Sequence, residues 1–385
     1  MQKKIIVLAI AGLASSAALA QTNVTIYGVF DAGQAWVKGD GKSGRGDQKR
    51  VGRLDSNSSL LGFKGSEDLG NGLKALFQFE SLINVDTNGG FVGGRDSYAG
   101  LSGDFGTLVA GILTPPMRVM GGRVEIMPGV AGFGTAFTVT GQISWLGLHT
   151  GADDRATNTI AYTSPTFGGG FSATVAYING EARGENAADP GIKAKAWQAA
   201  GQYENGPIYV ALAHHQTTDM LNQQGALPSF CTGNCNVVGA GYDASIWRAA
   251  ATYTTSFGAR FSGLYDYSKL DQGDINGPTY KRSAWSVGVI QTFGNNAFGL
   301  QYARSGNLDV SGAGSNPNDS ARIWTIGYQY ALSRRTLLQA RYSGLKNGKD
   351  GQSNFYLNPV RNTGGVVDAA GEKYSGFMFG IRHAF

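Results

Sequence analysis

The chain has 385 residues, a formal net charge of +5 and 15% charged residues, well below the ~25% of a typical soluble domain. It is rich in glycine (59 residues), phenylalanine (19) and tyrosine (17). Basic residues are scattered rather than gathered in one patch, which argues against nucleic-acid binding, and no stretch approaches the ~18 continuous apolar residues of a membrane helix.

Residues 1–20 have the pattern of a secretory signal peptide. Two lysines precede an apolar run over 5–13, and Ala18-Leu19-Ala20 is a small-x-small cleavage site. We therefore expect the mature protein to begin at Gln21 and, without the two lysines, to carry a net charge of +3. An uncleaved anchor helix is the alternative, but the apolar run is short and rich in alanine and serine.

Segments of alternating polarity follow along residues 21–385, and we count sixteen of them. In one example, Phe171, Val175 and Tyr177 share one face while Ser172 and Thr174 share the other. Without a helical span, only a closed sheet can pair every backbone group in lipid. The pattern predicts an all-β fold, a single-domain, 16-stranded antiparallel transmembrane β-barrel.

The connections between the segments alternate between short and long. Short ones include 103–106 and 204–206, whereas 38–53 and 114–154 are long. Bacterial outer-membrane barrels have short periplasmic turns and longer extracellular loops. The final segment, 374–385, again alternates an aromatic face with a face of small residues. We therefore expect the protein in the bacterial outer membrane.

The same alternation predicts which charged side chains face the lumen. The acids placed there are Asp31 and Asp266. The bases form a larger set, namely Lys64, Arg95, Arg155, Arg248, Arg282, Arg341 and Arg382. The predicted lumen is therefore positively charged overall, although the inward placement of the arginines after position 155 depends on alternation alone, and each is equally compatible with a solvated wall charge far from any narrow point.

Several segments resemble a known family. Asn23-Val-Thr-Ile-Tyr-Gly-Val-Phe-Asp-Ala-Gly33 resembles the first strand of the general trimeric porins of Gram-negative bacteria, and 61–80 resembles their second strand, first turn and third strand. Residues 95–107, 158–165 and 380–385 extend the similarity to the last strand, and the β-proteobacterial type is resembled most. The resemblance implies a homotrimer among outer-membrane lipid and lipopolysaccharide, with passive diffusion of small hydrophilic solutes and ions.

The resemblance also implies that the loop at about 114–154 folds into the lumen and narrows it. Arg95 and Arg155 stand at two positions where the family has basic wall residues. A third such position is Leu60, and Val29 replaces a lysine found in some members, so the basic cluster is thinner here.

The loop departs from the family's acidic pattern. Glu125 is the only acid between residues 114 and 152, whereas Arg118 and Arg123 add positive charge. We therefore expect these loop residues and the two wall arginines to form a constriction that prefers anions. The alternative is that Arg95 and Arg155 pair with Asp31, Glu125 or Asp153 and brace the loop. The apolar run that follows is expected to pack against the wall or, alternatively, to line a path for aromatic solutes.

Cys231 and Cys235 lie close together in the long loop 218–244. In an oxidising compartment such a pair predicts a disulfide. A metal site would need further ligands, and we predict neither a metal nor a cofactor.

Three other functions remain as alternatives. The first is a substrate-specific channel for small organic anions or aromatic acids, because the loop differs from the general pattern. A barrel adhesin and a barrel hydrolase are the others. The chain has four histidines and no Gly-x-Ser-x-Gly motif, so the sequence predicts a channel rather than an enzyme.

Overall fold

A computed structural model of the chain describes residues 23–40, 48–87, 91–128, 132–140, 152–183, 193–220, 242–272, 279–312, 317–356, 359–360 and 370–385. The predicted signal peptide and both cysteines lie outside the described residues. No helix in the described part of the chain is long and apolar enough to cross a membrane.

The described residues form one antiparallel sheet and a few short helical segments. A helix, α1 (Pro116–Val124), and a 3-10 turn (Ala136–Thr138) lie in the long segment between the sixth and seventh strands. The strands are β1 (Asn23–Asp40), β2 (Gln48–Ser56), β3 (Leu60–Gly70), β4 (Leu73–Ile83), β5 (Phe91–Gly103), β6 (Gly106–Leu113), β7 (Ala156–Thr163), β8 (Phe171–Arg183), β9 (Lys193–Asn205), β10 (Ile208–Met220), β11 (Tyr242–Thr254), β12 (Ala259–Gln272), β13 (Thr279–Phe293), β14 (Asn296–Ser305), β15 (Asp309–Val310), β16 (Ala321–Ala331), β17 (Thr336–Asn347) and β18 (Lys373–Ala384).

The sheet closes because β1 pairs on both edges. One edge pairs with β18, and the other pairs with β3 and then with β2. β2 and β3 are therefore one barrel strand interrupted at 57–59. The two-residue β15 pairs with β13 beyond the end of β14 and continues that strand. The wall thus has sixteen strands, which confirms the predicted barrel.

Alternation along each strand separates the two faces of the wall. Trp247, Tyr265 and Trp285 are between 37% and 50% exposed on the outer face, where lipid accommodates aromatic side chains. Short turns join neighbouring strands at one end of the barrel. At the first of them, Asn71 and Gly72 have positive φ angles of 52° and 77°, a conformation that suits asparagine and glycine.

One predicted loop is shorter in the structure. The sequence predicted a loop over 38–53, but β1 continues to Asp40 and β2 begins at Gln48. Charged residues such as Arg50 and Arg53 interrupt the apolar alternation in this hairpin. Strands that project past the apolar band of a barrel can carry polar side chains on both faces, so periodicity does not reveal them.

The buried apolar residues lie inside the barrel, between the wall and the segment that contains α1. Met117, Met120 and Val124 pack against the inner faces of β10, β11 and β12. Further along the segment, Phe133 and Val139 pack with residues of β1, β14, β16, β17 and β18. The segment therefore rests on one half of the wall.

Candidate functional site

The segment that begins at Thr114 is fixed to the wall at the start of α1. Pro116 occupies the first helical position, where its missing N–H costs no hydrogen bond. The N–H of Met117 donates to Oε1 of Gln198 on β9 at 3.2 Å. The carbonyl of Met117 accepts a 2.7 Å bond from Nη1 of Arg248 on β11. Hydrogen bonds from two strands thus hold the first turn of α1.

Arg248 also holds the end of the same segment. Its guanidinium donates to both carboxylate oxygens of Asp153, at 2.5 and 2.7 Å, and to both of Asp266, at 2.6 and 2.7 Å. The Arg248 residue is only 1% exposed. Asp153 belongs to the segment and Asp266 to β12, so one buried guanidinium joins both ends of the segment to the wall.

The middle of the segment crosses to the later strands. Arg341 on β17 donates to the carbonyls of Phe133 and Pro128, both at 3.0 Å. Asn57, at the interruption between β2 and β3, accepts a bond from the N–H of Phe133 at 3.0 Å. Gln329 on β16 donates to the carbonyl of Ile126 at 3.1 Å. The segment therefore lies along β9 to β18 and reaches the edge of β2.

This placement separates two groups of predicted lumen residues. Arg248, Arg282 and Arg341 are on the inner face, but they are at most 5% exposed and lie beneath other chain segments. Arg282 is paired with the buried Asp319. These arginines are structural anchors rather than the solvated wall charges that alternation alone allowed.

Arg95 and Arg155 lie on the part of the wall that the segment does not cover. Nε of Arg95 donates to Glu80 at 3.1 Å, and Nε of Arg155 donates to Asp96 at 2.5 Å. Their side chains are 14% and 17% exposed. The predicted partners for bracing were other acids, so Glu80 and Asp96 are site residues that the sequence reasoning missed.

A β-bulge explains why these groups meet. Between the pairs Phe79–Ser97 and Ser81–Gly94, β4 has one residue, Glu80, where β5 has two, Arg95 and Asp96. In a bulge both residues of the longer strand can point to the same side. Strict alternation from Leu101, which is 39% exposed on the outer face, would place Arg95 outside as well, so the alternation used to assign Arg95 to the lumen does not by itself give that position. The inward position of Arg95 thus depends on an irregularity that periodicity does not predict.

The remaining predicted lumen residues also have defined surroundings. Arg382 pairs with the fully buried Asp31 at 2.8 Å. Lys64 is exposed on the inner face, with its ammonium 5.0 Å from the centre of the Tyr27 ring. Arg118 donates to the carbonyl of Asp153.

Arg123 and Arg260 lie at the far end of α1. Arg123 forms a two-pronged ion pair with Glu204 at 2.9 and 3.0 Å. Arg260 donates to the carbonyls of Arg123 and Glu125, at 2.8 and 2.6 Å. Arg260 was not among the predicted site residues, although it lies six residues from Asp266 on β12 and therefore on the same, inner face.

Glu125 lies within the segment rather than facing open solvent. It is 6% exposed, and one oxygen accepts a 3.3 Å bond from the N–H of Phe137. Burial raises the pKa of Glu125 to about 8, although this bond and the nearby Arg341 act in the opposite direction. At neutral pH the carboxyl is therefore mostly protonated and adds little negative charge to the lumen.

A cavity of about 330 Å³ lies between α1 and the uncovered wall. Its lining includes Tyr98, Leu113, Val119 and Met120, and also Asp96, which binds Arg155. The cavity therefore combines an apolar surface with a nearby ion pair. Within the described residues, no three His, Cys, Asp or Glu side chains are arranged to hold a metal.

The last long loop also contacts the inserted segment. The rings of Phe133 and Phe355 are 4.7 Å apart, and those of Phe137 and Tyr356 are 4.8 Å apart in an edge-to-face arrangement. The Tyr356 hydroxyl donates to Asp154 at 3.3 Å. These contacts could not be predicted from the sequence, because all four rings lie outside the periodic segments.

Known proteins match this chain both in sequence and in fold. A family model described as a Gram-negative porin matches residues 7–350. The chain belongs to the Gram-negative porin family. The porin is 31% identical to outer membrane porin protein 32 of Delftia acidovorans, with all of both chains covered. It is 26% identical to major outer membrane protein P.IB of Neisseria gonorrhoeae, over 91% of this chain and 95% of that one.

Solved structures agree with this membership. An anion-selective porin from Comamonas acidovorans superposes with a TM-score of 0.75 and 28% identity, covering 95% of this chain and all of the other. The OmpT of Vibrio cholerae in a trimer form has the same fold, with a TM-score of 0.65 at 15% identity, 94% of this chain and 99% of that one being covered. The protein is thus an outer-membrane porin that allows passive diffusion.

Proposed function

We propose that the porin prefers anions and that its conducting path runs along the uncovered wall, between α1 and strands β3 to β8. The residues that line its constriction are Arg95, Arg155 and Arg118, with Arg123 at the far end of α1. In this proposal the segment 114–154 narrows the lumen from one side, and Glu125 shapes the segment without contributing a full negative charge.

The preference for anions follows from the balance of charge inside the barrel. Most inner-face cations are paired one to one with carboxylates, as Arg95 is with Glu80, whereas Arg248 has two, Asp153 and Asp266. In the described part of the chain, however, Lys64, Arg260 and Arg341 contact a ring or backbone carbonyls and form no ion pair. Glu125, which is buried within the segment, is mostly protonated. The low-dielectric barrel wall focuses the field of the surplus cations into the lumen, which favours anions.

The name of the Comamonas porin supports the same direction, since that protein is described as anion-selective. The test is the reversal potential of purified porin in a planar bilayer under a potassium chloride gradient. Discrete conductance steps with a reversal potential closer to the equilibrium potential of chloride support the proposal. A reversal potential closer to that of potassium contradicts it. Lys64→Gln should move the potential toward potassium, whereas Lys349→Gln, on an exposed loop, should leave it unchanged.

A substrate-specific channel for small aromatic carboxylates is the second candidate. The cavity beside α1 favours it, because its apolar lining can contact a ring while Arg155 lies within reach of a carboxylate. Such a channel would show a saturable block of ion current by benzoate but not by acetate. A block that grows linearly with concentration for both would favour general diffusion.

We also propose that the porin is a homotrimer in contact with outer-membrane lipid and lipopolysaccharide and has no catalytic role. His214 lies on the outer face, with its ring 4.2 Å from Trp247, whereas the neighbouring His215 faces inward and contacts Thr217 at 2.6 Å. The two imidazoles are therefore on opposite sides of the wall. Native mass spectrometry in detergent tests the trimer, and hydrolysis of a p-nitrophenyl ester by the same sample would contradict the absence of catalysis.

A further inference from the structure

A row of cations crosses the outer face of the barrel at the end that carries the long loops. Arg304, Arg322, Lys346 and Lys373 stand on β14, β16, β17 and β18, and each lies directly opposite the next across its strand pair. All four are exposed and lie on the same face of their strands as the lipid-facing residues. We refer to these four residues as the cationic row.

Such an arrangement is unfavourable without a counter-ion. Like charges directly opposite one another on adjacent strands repel, and the cationic row repeats this opposition three times in succession. Among the described residues, no ion pair joins any of its members to a carboxylate. Asp40 is the acid that ends the row, opposite Lys373, and Lys38 adds another exposed cation on the same face of β1. The net charge of this surface therefore remains strongly positive.

The level of the cationic row on the barrel identifies its surroundings. Immediately toward the membrane, Trp324 lies opposite Tyr302 on one side and Gly344 on the other. One step further, Tyr342 lies opposite Phe377, which stacks on Trp36 with ring centres 6.0 Å apart. Aromatic side chains of this kind mark the boundary between hydrocarbon and headgroups. The cationic row thus lies at the level of the headgroups.

The surface here is also recessed. A cleft of about 560 Å³ is lined by Arg304, Arg322, Lys346, Lys349 and Lys373, and a second of about 310 Å³ adjoins it beside Trp324 and Ser375. The indole of Trp324 lies over Gly344, and the small Ser375 lines the second cleft beside it. Several cations thus converge on spaces large enough for an anionic headgroup.

We propose that the cationic row binds the phosphate groups of a phosphorylated glycolipid in the outer leaflet. The long loops are extracellular in bacterial barrels, so this end faces the outer leaflet, and a row of separated cations suits a lipid with more than one phosphate. Acyl chains would then lie along the aromatic residues below. The proposal makes specific the lipid contact proposed above and rests on the outer-membrane location, but it is independent of ion preference.

The test compares lipid binding by two double variants. Arg322→Gln/Lys346→Gln removes the centre of the cationic row, whereas Arg334→Gln/Arg335→Gln removes two exposed arginines from the turn at the opposite end of β16 and β17. Diphosphorylated lipid A is titrated into each purified porin and retained lipid is counted by native mass spectrometry. We expect the first variant to bind at least tenfold more weakly and the second to bind as the native protein does.

Three further outcomes are decisive. Equal binding of dephosphorylated lipid A would overturn the proposal, because the phosphates would then play no part. Displacement of the lipid by inorganic phosphate at the same concentration would reassign the row to a free anion. If the first variant changes only the number of subunits and keeps its lipid, the row belongs to a subunit interface instead and the proposal fails. Planar-bilayer recordings of both variants check folding and report on ion preference separately.

Discussion

Replacing Arg248 by methionine should destabilise the barrel more than any surface change. The substitution keeps much of the side-chain volume but leaves Asp153 and Asp266 as two buried carboxylates without their shared cation. Removing one partner of a buried ion pair typically costs about 3–5 kcal/mol. Since Arg248 is also bonded to the carbonyl of Met117, we expect a loss in the upper part of that range.

The assay is equilibrium unfolding in urea, followed by tryptophan fluorescence of the porin in lipid vesicles. Arg334→Met, which changes an exposed arginine, is the control and should alter the free energy of unfolding by less than about 0.5 kcal/mol. The triple variant Arg248→Met/Asp153→Asn/Asp266→Asn should be more stable than Arg248→Met alone, because the unpaired charges are gone. A loss below about 1 kcal/mol for Arg248→Met would contradict this prediction, since it would mean that the cluster is hydrated.

The remaining predictions concern pH, selectivity and the cysteines. Because burial raises the pKa of Glu125 to about 8, the folded state retains a proton that the unfolded chain loses at lower pH, and stability should fall between about pH 5 and 8. Glu125→Gln should remove that fall when the free energy of unfolding in urea is measured at several pH values. If the variant and the native protein differ in this free energy by the same amount at every pH, the prediction is wrong. Arg155→Ala should shift the reversal potential toward cations and Asp96→Asn toward anions; shifts in the same direction would show that the pair does not line the path. Finally, thiol labelling of the denatured, unreduced porin should modify neither Cys231 nor Cys235, while labelling after reduction should modify both.

The barrel wall could be predicted because lipid-facing and lumen-facing residues alternate along each strand. Sixteen segments of alternating polarity, joined by turns and loops, are sufficient to indicate a closed barrel. The same alternation placed residues such as Lys64 and Arg382 on the inner face. Alternation along a strand shows which face of the wall a side chain is on, but not whether another part of the chain buries it. Arg248 and Arg341 have the same inward parity as Lys64, but the inserted segment covers them. Which half of the wall is covered depends on tertiary contacts that leave no periodic signal.

The details of the constriction were harder to predict from the sequence. The inward position of Arg95 follows from the bulge opposite Glu80, and one extra residue in a strand has no signature in composition. Glu125 was visible in the sequence as the lone acid between residues 114 and 152, but its neutralisation was not, because its desolvation arises only once the segment folds against the wall. The contact of Phe355 with Phe133 joins residues more than 200 positions apart in the chain.

The most direct measurement is the chemical accessibility of the two halves of the wall during current flow. In a porin with Cys231→Ser and Cys235→Ser, a cysteine is placed either at Gln78, beside Tyr98 on the uncovered half, or at Ser343, fully buried beneath Gly134. Anionic and cationic methanethiosulfonate reagents are added in turn to an open channel. We predict that the current falls for Gln78→Cys, faster with the anionic reagent, and stays constant for Ser343→Cys. A block at Ser343→Cys with none at Gln78→Cys, or a faster reaction with the cationic reagent, would contradict the account.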